Sequence, residues 1–246
     1  MDEKSSRVEE INMAIIKLKK SIIPSCDVSS IEELKKMVKE TCDVTGIGAY
    51  KVGFELALPF GLNKVVSEIR KLTDLPIIYD HQKAGTDIPD MGFKFMKACK
   101  DSGVDAVIIF PQAGPVTEEA WINAAKKVSL KVIVGGEMTH KGYLESENGF
   151  LKTNSPQRMY QIASANGVKD YVVPGNKPDK IAKYRLFFEN KGFVPVFYSP
   201  GLVTQGGTLS EGAKAAGDNW HAIIGRALYN APDIRSKALE LVKALE

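Results

Sequence analysis

The sequence is poor in the residues from which disulfide frameworks and zinc sites are made. Its 246 residues include only three cysteines and three histidines. Cys26, Cys42 and Cys99 show no paired spacing, whereas zinc sites usually bring cysteine or histidine residues in close pairs. The sequence therefore predicts a reduced protein without structural disulfides and without a metal site.

Long apolar runs and a strong excess of charge are also missing. No run approaches the roughly 18 apolar residues that a membrane-spanning helix needs. Residues 2–20 form a charged amphipathic stretch rather than the apolar core of a signal peptide. The 33 basic and 30 acidic residues leave a net charge of +3, which is too balanced for a nucleic-acid-binding surface. We therefore expect a cytoplasmic protein that binds neither nucleic acid nor membrane.

What the sequence does contain is a regular alternation of short apolar runs and longer amphipathic stretches. The runs are nearly continuously apolar and rich in β-branched residues, which is typical of strands buried on both faces of a parallel sheet. Eight strands are predicted, at residues 22–26, 46–53, 76–79, 104–110, 131–135, 170–173, 193–198 and 221–225. Helical periodicity predicts helices at 30–40, 62–72, 117–128, 155–166 and 176–190.

Eight strand–helix units in a chain of this length predict one closed (β/α)8 barrel. Strands that alternate with helices pair in parallel through crossover connections. Single barrels of this kind run to about 250 residues, whereas an open sheet usually has about five or six strands. No Gly/Ser/Pro-rich linker divides the chain, so we expect residues 1–246 to form one domain, with an extra helix within residues 1–20.

Polar residues follow several of the predicted strands. A closed parallel barrel carries its chemistry at the C-terminal ends of its strands, so these residues are site candidates. They are Asp27, Lys51, Asp80, Glu137, Thr139, Gln205 and Arg226.

The densest group of ionisable residues lies in segment 79–89 and contains Asp80, Lys83 and Asp87. A carboxylate held beside a substrate carboxylate is strained, and loss of carbon dioxide relieves that repulsion. An adjacent ammonium group then stabilises the carbanion and protonates it. The alternative for this segment is a solvated loop that holds a structural ion pair.

Two glycine-containing segments near the end of the chain predict a phosphate site. Residues 199–207 follow the seventh strand and include Gln205 and Gly206, while Gly225 and Arg226 follow the eighth. The loops after strands seven and eight commonly bind phosphate in such barrels. Glycine lets backbone N–H groups approach an anion, and arginine adds a bidentate contact.

Five short motifs occur in one order along the chain. They are Lys51-Val52-Gly53, the Asp80/Lys83/Asp87 segment ending in Asp-Ile-Pro, Glu137-Met138-Thr139-His140, Ser199-Pro200-Gly201 with Gln205-Gly206-Gly207, and Gly225-Arg226. Over about residues 22–240, this order resembles the orotidine 5′-monophosphate (OMP) decarboxylase family. The resemblance implies a homodimer that converts OMP to uridine 5′-monophosphate (UMP) and carbon dioxide, without metal or organic cofactor.

The resemblance also implies catalytic roles for four residues. Asp80 is similar to the carboxylate that the family sets against the substrate's own carboxylate. Lys51 resembles the lysine that touches the ribose and orients that first carboxylate, and Lys83 resembles the lysine that protonates C6 of the pyrimidine. Asp87 resembles an aspartate that reaches into the active site of the partner subunit.

The remaining matched residues are implied to bind substrate. Asp27 resembles the aspartate that hydrogen-bonds the ribose, and Thr139 takes the place of a serine that reads the pyrimidine ring. The positions similar to the family's phosphate-binding residues are Gln205, Gly206, Gly225 and Arg226.

The catalytic segment departs from the family pattern in two ways. The family spacing is Asp-x-Lys-x-x-Asp, whereas here it is Asp80-x-x-Lys83-x-x-x-Asp87, and Met91 stands where the family has a threonine. Strand alternation puts Gln82, rather than Lys83, on the side of Asp80. A bulge or an early turn is needed to return Lys83 to the site, so which of the two faces the substrate stays open.

Two other functions are compatible with the sequence. One is a metal-dependent sugar-phosphate decarboxylase or aldolase of the same barrel group, in which a divalent metal stabilises an enediolate. The other is a non-catalytic barrel that binds a nucleotide, which the altered spacing also allows. Among single residues, the alternatives are a helix N-cap role for Asp27 and metal ligation by Glu137.

Overall fold

Eight parallel strands form one sheet that closes on itself in the computed structural model, which describes residues 14–81 and 85–245. The strands are β1 Lys20–Pro24, β2 Tyr50–Val52, β3 Ile77–Asp80, β4 Ala106–Ile109, β5 Lys131–Gly135, β6 Asp170–Val172, β7 Val196–Ser199 and β8 Trp220–Ile224. The order of hydrogen-bonded strands in the sheet is β1-β8-β7-β6-β5-β4-β3-β2. Between β1 and β2, the Cys26 amide donates to the Lys51 carbonyl over 2.8 Å, which closes the barrel.

Helices surround the barrel and follow the strands. They are α1 Ile31–Thr41, α2 Phe54–Phe60, α3 Leu62–Arg70, α4 Met91–Asp101, α5 Pro115–Lys127, α6 Ser155–Ala165, α7 Pro178–Glu189, α8 Leu209–Ala216, α9 Arg226–Tyr229 and α10 Ile234–Lys243. Side-chain caps begin several of them: the Ser30, Thr208 and Asp233 side chains accept hydrogen bonds from amides in the first turns of α1, α8 and α10. Proline occupies the first turn of α5, α6 and α7, where it costs no hydrogen bond.

Side-chain alternation along the strands separates two apolar layers. On β8, His221 and Ile223 point into the barrel, whereas Trp220 and Ile224 pack outward against the helices. The interior is filled mainly by Ile23, Ile78, Ile108, Ile133, Val172, Tyr198 and Ile223. Because the interior is packed with side chains, a ligand that binds the barrel finds space at its end rather than inside it.

The N-terminal end of the barrel interior holds buried polar groups. Ser21 Oγ lies 2.8 Å from His221 Nδ1, and the Tyr198 hydroxyl donates to Asp170 Oδ1 over 2.8 Å. Burial lowers the pKa of His221 to about 3 and raises the pKa of Asp170 to about 6. These groups lie at the opposite end from the predicted site.

The predicted single (β/α)8 barrel is confirmed, and the eight predicted strands and the five helices predicted after residue 20 match observed ones with small shifts of their ends. Helices α2, α4, α8, α9 and α10 had no assigned bounds in the sequence analysis. Most of the helix predicted within residues 1–20 lies outside the described residues. Residues 15–19 form bends, so the described residues directly before β1 contain no helix. Among residues 14–81 and 85–245, no helix is both long and apolar enough to span a bilayer.

Candidate active site

A cavity of about 350 Å³ opens at the C-terminal ends of the strands. Seven of the residues that were predicted for the site line it: Asp27, Lys51, Asp80, Thr139, Gln205, Gly225 and Arg226. Gly206 lies in the same loop as Gln205 but does not line the cavity, and Asp87 is exposed outside it. Lys83 and Gln82 lie outside the described residues.

Lys51 joins two carboxylates on the floor of the cavity. Its Nζ lies 3.3 Å from Asp27 Oδ1 and 3.2 Å from Asp80 Oδ2. The Ser25 hydroxyl donates to the other oxygen of Asp27 over 2.7 Å. Ser25 was missed as a site residue, although strand alternation places it on the same face as Asp27.

The charge state of Lys51 follows from this arrangement. Burial by itself would lower the pKa of the ammonium, since only 4% of the residue is exposed. The carboxylates of Asp80 and Asp27 outweigh that effect and raise the pKa above its ordinary value. Lys51 is therefore a fixed cation in this site rather than a proton donor or base.

The chain after Asp80 is held on both sides of residues 82–84. The His81 ring turns away from the cavity, with Nδ1 2.6 Å from the Tyr79 hydroxyl, and packs edge-on against Phe95. Gly85 has φ +87°, and a Cβ there would lie 3.1 Å from Pro111 Cα, so any other residue would be strained. The segment that contains Lys83 thus begins and ends at close contacts with the barrel wall.

The backbone around Thr139 is held by a residue that the sequence did not single out. The Asn176 side chain, just after β6, donates to the Thr139 carbonyl over 3.0 Å. Gly201 has φ +88°, and a Cβ there would lie 2.6 Å from Thr139 Cγ2. Asn176 could have been predicted as a site residue from its position after β6, because the active sites of such barrels lie at the C-terminal ends of the strands.

Glu137 lies beneath this loop and is paired rather than open to a ligand. Only 1% of Glu137 is exposed to solvent. Lys177 Nζ lies 3.1 Å from Glu137 Oε1, and the Tyr184 hydroxyl donates to Oε2. Lys177 also contacts Glu147 over 3.0 Å, so the carboxylate belongs to a structural ion-pair network. Within the described ranges, no three His, Cys, Asp or Glu side chains form a group able to hold a metal ion.

The loops after β7 and β8 bring Gln205 and Arg226 to the cavity. Gln205 lies in an exposed turn in which the Val203 amide donates to the Gly207 carbonyl over 2.6 Å. Arg226 is the first residue of α9, directly after Gly225 at the end of β8. Among the described residues no carboxylate lies within ion-pair distance of Arg226. Its guanidinium is therefore available to an anion in the cavity.

The fold and the site define a (β/α)8-barrel enzyme whose polar groups surround a cavity at the C-terminal ends of the strands. The chain belongs to the orotidine 5′-phosphate decarboxylase / HUMPS family, whose model matches residues 20–241. This match covers all eight strands and most of α10.

Individual relatives support the same assignment. The chain is 31% identical to an orotidine 5′-phosphate decarboxylase of Methanosarcina barkeri, over 93% of this chain and 96% of the relative. It is 33% identical to one of Pyrococcus furiosus, over 81% and 86% of the two chains. The crystal structure of the Methanocaldococcus jannaschii decarboxylase with the inhibitor BMP superposes with a TM-score of 0.80 at 26% identity, covering 92% of this chain and 99% of that one.

Proposed function

We propose that this protein decarboxylates orotidine 5′-monophosphate to UMP in the cytoplasm. The observation that carries the proposal is the placement of Asp80 and its cationic partner Lys51 in one cavity with Arg226. Such a cavity offers one charged end to a carboxylate and another to a phosphate. The cavity also has apolar walls, which suit the flat face of a pyrimidine; they are formed by Ile108, Phe110, Met138, Val172 and Ile223.

Asp80 and Lys83 perform the chemical step in this proposal. Asp80 lies against the carboxylate of the bound substrate, and their repulsion is relieved as carbon dioxide leaves. The bond between C6 and the carboxyl carbon breaks, and its electron pair stays on C6. Lys83 then donates a proton to C6, while Lys51 remains protonated and holds Asp80 in place.

The other groups bind the substrate at a distance from the reacting carbon. Asp27 accepts hydrogen bonds from the ribose hydroxyls, and Thr139 contacts the pyrimidine. Gln205 and Arg226 hold the 5′-phosphate, together with the backbone at Gly206 and Gly225. Binding energy from the phosphate is then used to close the loop over the substrate and assemble the site.

A homodimer is part of the proposal, with Asp87 reaching the active site of the second copy. Exposed apolar side chains follow the ends of three neighbouring strands on this face of the barrel: Phe54, Leu58, Ile88, Phe93 and Val116. Thr117 and Trp121 of α5 donate to the carbonyls of Asp87 and Ile88, which fixes the Asp87 segment next to these side chains. A surface of this kind is typical of a protein interface.

The second candidate is a metal-dependent sugar-phosphate enzyme, because the family also includes proteins of that kind by its description. The apolar walls of the cavity favour a pyrimidine over a polyhydroxy sugar. The third candidate is a non-catalytic barrel, which would bind the nucleotide without converting it.

The test is the loss of absorbance when purified protein is mixed with OMP in the presence of a chelator. We expect turnover that persists with the chelator, collapses in Lys83→Ala and survives in Lys94→Ala, a matched change at an exposed lysine of α4. Turnover that survives Lys83→Ala would move the proton donor to another residue. Absence of turnover in a protein that still binds UMP would overturn the proposed activity.

A further inference from the structure

Two side chains on the outer side of the barrel flank Asp80 at the end of β3. Successive side chains of a strand point to opposite faces. Tyr79 accordingly packs among the outward-facing core residues, while Asp80 lines the cavity. The His81 ring is on the same side as Tyr79, and its Nδ1 lies 2.6 Å from the Tyr79 hydroxyl, which is hydrogen-bond distance. This bond therefore joins the residues directly before and after Asp80.

Two helices hold this pair in place from outside. Phe95 of α4 stacks on the Tyr79 ring with 6.4 Å between centroids and meets the His81 ring edge-on at 5.7 Å. Trp121 of α5 packs against Phe95 at 5.1 Å. Aromatic pairs at such separations add stability beyond the area that they bury. Tyr79 and His81 therefore belong to a cluster of four rings that is anchored on α4 and α5.

The Tyr79 hydroxyl keeps its proton in this cluster. Only 6% of the residue is exposed, and burial is the main reason that its pKa is raised to about 12. A neutral phenol can donate its hydrogen to an imidazole nitrogen. Neither Tyr79 nor His81 lines the cavity, so neither is placed to contact a ligand there. What the pair can affect is the backbone that carries Asp80.

Asp80 stands where the pairing of β3 with its neighbours ends. The pairing with β2 ends at Val52 and Tyr79, one residue before Asp80, and the pairing with β4 ends at Asp80 itself. The ends of regular elements open more readily than their centres. Displacement of a catalytic group by about 1 Å can lower the rate about 100-fold. A hydrogen bond that ties His81 back to Tyr79 restrains the chain at this point.

We propose that Tyr79 and His81 are positioning residues that hold the Asp80 carboxylate against the carboxylate of the substrate. The inference rests on the proposed function, in which Asp80 acts on the reacting group while Gln205 and Arg226 bind the phosphate. UMP carries the phosphate but has no carboxylate. Loss of the Tyr79–His81 hydrogen bond should therefore lower kcat for OMP and leave the affinity for UMP unchanged.

The test is a double-mutant cycle of Tyr79→Phe and His81→Phe, with kcat for OMP and the Kd of UMP measured for all four proteins. Phenylalanine retains a ring that packs on Phe95 but removes the hydrogen-bonding group. Each single change should lower kcat about tenfold, which corresponds to one hydrogen bond. The double variant should lose no more than the single variants, because all three lack the same bond. The Kd of UMP should stay within about twofold of the wild-type value.

Tyr171→Phe is the matched control. The Tyr171 hydroxyl, on the outer face of β6, donates to the Val168 carbonyl over 2.5 Å. Its removal should lower the temperature of thermal unfolding as much as Tyr79→Phe does and leave kcat unchanged. The same unfolding measurement checks that each variant is folded.

Three results would overturn the role of the pair: wild-type kcat in Tyr79→Phe, additive losses in the double variant, or a UMP affinity that falls as much as kcat. Each of these requires a wild-type protein that turns OMP over. A wild-type protein without turnover would contradict the proposed function itself, and the positioning role with it.

Discussion

Lys51 Nζ and Asp80 Oδ2 lie 3.2 Å apart, although the two residues do not stand opposite each other where β2 pairs with β3. Lys51 of β2 stands opposite Ile78 of β3, so Asp80 is two residues further along its strand. The lysine stem runs through the buried barrel interior and brings its ammonium group up to the level of the strand ends. One long side chain therefore packs in the barrel interior and neutralises the carboxylates at its mouth.

Replacing Lys51 by methionine keeps the apolar stem and removes the charge. Asp80 and Asp27 then lose the Lys51 ammonium in a partly buried site, so we expect the free energy of unfolding to fall by about 3 kcal/mol. Partial exposure of Asp27 keeps the loss at the lower end of the range for buried pairs. Decarboxylation should fall by two orders of magnitude or more, on the order expected when a buried charge partner is lost. Urea unfolding and steady-state kinetics measure the two effects.

Lys64→Met is the matched control, because Lys64 is exposed on α3. It should leave both stability and turnover near the wild-type values. If Lys51→Met were as stable as the control, the buried ion pairs would contribute nothing to folding.

Arg226 should act only on substrates that carry a phosphate. We expect Arg226→Ala to lower kcat/KM for OMP by about 100-fold, since a bidentate charge-assisted contact is lost. The same change should have almost no effect on the slow decarboxylation of orotidine, which has no phosphate. Arg235→Ala changes an exposed arginine of α10 that pairs with Asp43 and should affect neither reaction. An equal loss on both substrates would contradict a phosphate role.

His221 should make the folded state sensitive to acid. Its folded pKa is lowered by burial to about 3 from 6.5, so between these values the unfolded chain binds a proton that the folded chain does not. Stability therefore falls as the pH drops through this window, by up to about 1.4 kcal/mol per pH unit from this residue. Asp170, at the same end of the barrel, has a raised pKa and acts in the opposite sense between pH 3.8 and about 6. A comparison of the wild type with a variant changed only at His221 isolates the contribution of the histidine, because Asp170 is present in both proteins.

Chemical unfolding of wild type and His221→Gln, measured at several pH values, tests this. Glutamine keeps a hydrogen-bonding group for Ser21 but does not titrate, so the variant should lose less stability on acidification. His140→Gln, at an exposed histidine, should retain the wild-type slope. Parallel curves for wild type and His221→Gln would mean that the histidine is not the acid-sensitive group.

The sequence by itself determined the barrel and most of its mouth. Buried parallel strands need continuous apolar runs, and helices need a single apolar face. Both patterns can therefore be recognised in the amino-acid sequence. Because the mouth of a parallel barrel is made by strand ends, residues such as Lys51, Asp80 and Arg226 were found from their positions alone.

Only the tertiary structure decided which side chains meet and which are buried. Glu118 stands in the sequence Thr-Glu-Glu-Ala at a helix start, where a glutamate is normally solvated, yet it is 1% exposed in the folded protein. Asn176 reaches Thr139 across 37 positions of the chain. Periodicity tells which face of an element is apolar, but burial and pairing depend on which loops lie over that face, and no local pattern encodes this.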